Sequence, residues 1–169
     1  MTPWTAAFVE QAEADLQVVR QVALQPRGQL GRSTVAMLLQ MVFEKLAKAA
    51  LAMNGQPPRR THKAVQYLGA LFPRRGRRDP ELYAKFQSQL PLLLELEASN
   101  PAVVEAEAQT NGVEAPQLEY PWADPTAPTG VRTPEGSLPV AKRLASPRST
   151  ELNQLIMLAT DLCGAIRAR

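Results

Sequence analysis

The chain has one cysteine, Cys163, and one histidine, His62. A lone thiol cannot close an internal disulfide or build a cysteine zinc cluster. One histidine without nearby acids cannot build a histidine-rich metal site. No metal or cofactor is therefore expected, and Cys163, inside an apolar helical pattern, reads as a small buried hydrophobe. Aromatic residues make up 5% of the chain, against 45% hydrophobic residues supplied largely by alanine and leucine. That mix disfavours sheets and favours helices. No apolar run approaches the roughly 18 residues of a membrane span. Met1-Thr2-Pro3-Trp4 lacks the basic start and apolar stretch of a signal peptide, so the cytoplasm is the expected compartment. Gly28 and Gly31 have neither the spacing nor the lysine of a phosphate loop. No serine sits in a nucleophile-elbow motif.

What is present fits one all-α domain over residues 1–169, an up-and-down bundle of four to five helices. Its core helices are expected over about 3–108 and 150–168, with a proline-rich segment over about 109–148. Thr2-Pro3 reads as an N-cap followed by a first-turn proline. Trp4, Phe8, Ala12, Leu16, Val19 and Ala23 follow at helical spacing. Ser33 or Thr34 can cap a second helix whose stripe runs through Val35, Leu38, Leu39, Val42, Leu46, Ala49, Ala50 and Met53. Asn54-Gly55 stops it. Thr61 can cap a third helix carrying Val65, Leu68, Leu71 and Phe72. Asp79-Pro80 starts a fourth, which Pro91 is expected to kink or split. Asn100-Pro101 reads as a turn before a short acidic helix at 102–108. From Gln109 to Pro147 helical periodicity disappears and no strand pattern is visible. Tyr120 and Trp122, in Leu118-Glu119-Tyr120-Pro121-Trp122, mark a part of that segment expected to pack on the helices. A last helix is expected from about Thr150 to Arg167.

The net charge of +3 hides a polarised layout. Residues 55–79 carry seven Lys/Arg and one acid, whereas 80–124 carry Lys85 against eight acids. Arg59, Arg60, Lys63, Arg74, Arg75, Arg77 and Arg78 bracket the third helix, whose expected length is about 18 Å. Both clusters could touch a phosphate backbone lying along it. They could equally form a solvated face or meet acidic residues of a partner subunit. His62 among arginines could move a proton beside a neutralised phosphate, but a place in the first turn of helix three is favoured. Asp15, beside the first apolar stripe, is read as exposed rather than as a site residue facing helix two. Glu44 and Lys48 form an i, i+4 pair in the favourable order.

Ala12-Glu13-Ala14-Asp15-Leu16, then Gln40 to Leu51 with its Glu44-Lys45-x-x-Lys48-Ala49-x-Leu51 pattern, then Gly55 and Pro58-Arg59-Arg60-Thr61-His62-Lys63 with Leu68, form an ordered set. In that order they resemble the HEPN domain family. The resemblance covers residues 4–72, and Tyr120-Pro121 echoes a later tyrosine-proline of the family. It implies a helical bundle, usually dimeric, often encoded beside a nucleotidyltransferase partner. Some members are metal-independent ribonucleases with arginine and histidine about four to six residues apart. Here two residues separate Arg59 from His62 and one separates Arg60 from it. The catalytic roles are therefore not carried over. The expected protein is a non-catalytic homodimeric module binding a nucleotide, RNA or a protein partner, in the manner of toxin–antitoxin or defence systems. The alternatives are a ribonuclease using His62 with Arg59 or Arg60, and a structural dimer in which 109–147 wraps the partner subunit.

Overall fold

The structure, a computed structural model, describes residues 1–24, 31–57, 63–72, 78–100, 118, 121–144 and 149–169. Four long helices form the bundle: α1 (Pro3–Leu24), α2 (Arg32–Met53), α3 (Pro80–Ala98) and α6 (Thr150–Arg167). A 3-10 helix, η1 (Val65–Leu71), links α2 to α3. Two short helices, α4 (Pro134–Ser137) and α5 (Pro139–Leu144), precede α6. Between α3 and α4 lies a two-residue antiparallel ladder, β1 (Trp122–Ala123) on β2 (Val131–Arg132), which is too small to form a layer. Arg20 reaches Thr160 and Glu13 reaches Arg167, so α6 runs antiparallel to α1. Lys85–Asp161 and Gln89–Gln154 set α6 antiparallel to α3 in the same way. Among the described residues no helix is long and apolar enough to cross a membrane.

The helix starts follow the capping chemistry. Thr5 N–H donates to Thr2 Oγ1 at 3.1 Å, Leu82 N–H to Asp79 Oδ1 at 2.9 Å and Leu152 N–H to Ser149 Oγ at 3.1 Å. Each bond satisfies an amide that the helix itself leaves open. α2 differs from expectation. It begins at Arg32 behind Gly31, so Ser33 and Thr34 lie inside its first turn. Its end is as read, with Gly55 at φ +72° and the Gln56 N–H bonded back to the Leu51 carbonyl.

Four further expectations are corrected. Helix three is η1, and its buried Val65, Leu68 and Leu71 recur every third residue, the repeat of a 3-10 turn. α3 runs unbroken through Pro91. The proline is exposed, as is Gln87, whose carbonyl loses its helical donor there, and Leu92, Leu93 and Leu96 anchor the second half in the core. The proline-rich segment contains helices because Pro134 and Pro139 occupy first-turn positions, where a missing N–H costs nothing. α5 buries Val140, Ala141 and Leu144 in the common core, to which Leu118 also belongs. Finally, Ala12, Leu16 and Val19 are buried as read, but Trp4 is 62% exposed, and Thr5 and Val9 complete the buried face of α1. The acidic helix expected at 102–108 lies outside the described residues.

Candidate functional site

α2 is the central helix, touching α1, η1, α3, α5 and α6. A polar ladder runs along one of its faces. Gln40, Glu44 and Lys48 are spaced by four residues and therefore stack on one side. Asn100, just past the end of α3, donates from Nδ2 to Gln40 Oε1 at 3.0 Å. Gln40 Nε2 donates to Glu44 Oε2 at 3.1 Å, and Lys48 Nζ to the other Glu44 oxygen. Gln40 is 3% exposed and Asn100 4%, so this chain of bonds crosses the core. A buried amide is tolerated there because it is hydrogen-bonded.

Separately, Glu97, near the C-terminal end of α3, ties that helix to η1. Its Oε2 accepts the Val65 N–H at 2.7 Å, and the Ala64 amide lies near the same carboxylate. Burial pushes the Glu97 carboxyl above the ordinary value. The two amides and nearby Lys63 pull it down, and Glu44 adds to the rise. The carboxylate thus does the work of an N-cap for η1, whose own N-cap residue Ala64 has no side chain to do it. Chemically this is a holding arrangement, in which oxygen lone pairs are committed to backbone amides. Among the described residues every buried side-chain nitrogen or oxygen has a partner. Nor does any group of three or more His, Cys, Asp or Glu among them form a candidate metal cluster.

Asp15 is half-buried rather than exposed. It faces α2, forms an ion pair with Lys45, and accepts from Gln11 Nε2 at 3.1 Å. Glu44 and Lys48 pair as read from the sequence. Lys63 and Arg78 are exposed, one before and one after η1, which at seven residues is about 14 Å long rather than about 18 Å. Arg59, Arg60, His62, Arg74, Arg75, Arg77 and Tyr120 lie outside the described residues. Trp122 contributes its backbone to β1, opposite Arg132. Asp124, on the same hairpin, is held down to about 2 by the Thr126 hydroxyl, Arg132 and the Thr126 amide.

Sequence reading missed Gln40, Glu97 and Asn100. Gln40 carried a signal, a polar residue interrupting an apolar run one turn before Glu44. Glu97 carried none, because its partner is 32 residues away. A separate open groove of about 500 Å³ lies between the start of α3 and the end of α6. Within it Lys85 bridges Asp161 at 3.0 Å and Glu81 at 3.5 Å. No family model, no curated protein and no solved structure matches the chain.

Proposed function

We propose that the chain is a non-catalytic HEPN-like module that binds the phosphates of a nucleotide or RNA through basic residues flanking η1. One observation carries this reading, the division of charge. The described residues hold twelve Lys/Arg and twelve Asp/Glu. Many of these pair with one another, as in Asp15–Lys45, Glu44–Lys48, Glu95–Arg143 and Glu13–Arg167. The whole net charge of +3 therefore belongs to the remaining segments, which hold seven Lys/Arg against four acids. Five of those seven are Arg59, Arg60, Arg74, Arg75 and Arg77, on either side of η1 in sequence. Described residues that balance in charge, with an arginine excess in the two short stretches of sequence beside η1, suit guanidinium–phosphate contact. Glu97, Val65 and the core fix the element from which both basic stretches leave.

The resemblance adds a homodimer and a nucleotidyltransferase-type protein partner to this reading. The binding half is tested with Arg59→Ala, Arg60→Ala and Lys63→Ala combined. Affinity for a fluorescent single-stranded RNA should fall about tenfold or more, with a shallower salt dependence. The RNA should stay intact without metal. Metal-independent cleavage that His62→Ala abolishes would replace this reading with the ribonuclease one.

A further inference from the structure

Val65 follows Lys63 by two residues, and its N–H donates to Glu97 Oε2 at 2.7 Å. Two residues of chain span at most about 7 Å, so the Lys63 side chain starts within about 10 Å of that carboxylate. Lys63 is exposed and Glu97 is half-buried. The ammonium can therefore meet a ligand in solution while the nearby carboxylate stays tied to η1. Lys63 favours the ionised form of Glu97, and Glu44 of α2 opposes it. Glu44 is itself paired with Lys48. Farther back on α3, Glu95 is held by Arg143 of α5, which also reaches Glu151 of α6.

We propose that Glu97 makes phosphate binding at Lys63 acid-sensitive: the ionised carboxylate repels a phosphate there, and the protonated carboxyl does not. This rests on the phosphate-binding reading above and adds its regulation. A phosphate on the Lys63 ammonium brings negative charge toward the carboxylate and takes up the cation that steadied it. Both effects raise the affinity of Glu97 for a proton. Linkage is reciprocal, so a protonated Glu97 strengthens phosphate binding by the same factor. Burial already biases the carboxyl toward its neutral form, so the change falls above the ordinary carboxylate value of about 4.3. Protonation leaves η1 in place, because the neutral carboxyl keeps an oxygen to accept the Val65 N–H. Across about 10 Å, with salt screening, the repulsion corresponds to about two- to tenfold in affinity.

The test is binding of a fluorescent single-stranded oligouridylate to the full chain, read by anisotropy at about 50 mM salt from about pH 7.5 to about pH 4.5. Uracil takes up no proton in this range. The parent should bind more tightly as pH falls. Glu97→Gln, which keeps an oxygen for the Val65 amide, should bind about two- to tenfold more tightly than the parent at about pH 7.5. That gap should close toward about pH 4.5, where the parent's Glu97 is itself largely neutral, and shrink as salt rises. His62 protonates over part of the same range in both proteins, so the comparison isolates Glu97. Glu10→Gln, which removes an exposed carboxylate from α1, should match the parent at every pH. A Glu97→Gln protein of unchanged circular dichroism that binds no tighter at about pH 7.5, or whose advantage persists undiminished to about pH 4.5, overturns this inference and leaves the RNA reading standing. No binding by the parent at any of these pH values overturns both.

Discussion

Glu97 is a carboxylate held by the Val65 amide in a place that disfavours its charge. Its raised pKa means that the folded chain holds the proton more tightly than the unfolded chain does. The associated stability is present below the ordinary carboxylate value of about 4.3 and is lost as pH rises through the raised value. At neutral pH the ionised side chain is therefore a net burden that a neutral acceptor would relieve. Glu97→Gln should be at least as stable as the parent at pH 7, with its advantage gone near pH 4, as read by urea unfolding at both values. A glutamine variant clearly weaker at pH 7 would contradict this. Glu97→Ala, which leaves the Val65 amide without its acceptor, should lose about 1–3 kcal/mol. Cys163 behaves differently, with burial as the main force pushing its thiol up to about 11. That fits the buried hydrophobe read from its apolar surroundings.

At the scale of elements, the starts of α1 and α3 were legible, while the start of α2 and the effect of the later prolines were not. Thr2-Pro3 and Asp79-Pro80 announced their helices because capping is local chemistry, complete within four residues. Pro91, Pro134 and Pro139 misled because a proline's effect depends on where it falls in a turn. At the first position it is neutral, and in the interior it removes one bond and leaves one carbonyl to water. Pro91→Ala would restore the bond to Gln87 and should raise stability by about 1–3 kcal/mol. Thermal unfolding tests this, and an unchanged or lower midpoint would show that the helix has relaxed around the proline. α5 was invisible as a helix because six residues hold less than two turns of periodicity. Its weight is in packing, so Leu144→Ala should cost about 2–5 kcal/mol, the range for a buried leucine. A loss well below 1 kcal/mol would remove α5 from the core. Trp4 misled through type, since a large aromatic at helical spacing reads as core, while the buried line lies one residue over, at Val9 and Thr5.

For the molecule as a whole, the bundle could be read from periodicity, but the polar contacts could not, because Gln40 meets Asn100, and Glu97 meets Val65, only after α2, η1 and α3 have packed. The described residues balance charge against charge, and the excess arginine flanks η1 in sequence. Electrostatic binding by such a chain releases counterions, so affinity must fall linearly with the logarithm of salt. The most direct test is the salt dependence of single-stranded RNA binding, measured by fluorescence anisotropy from about 50 to about 300 mM salt. Engagement of four to seven of the basic residues around η1 predicts a log–log slope of about −3 to −5. A slope near zero, or no binding at the lowest salt, would contradict the account.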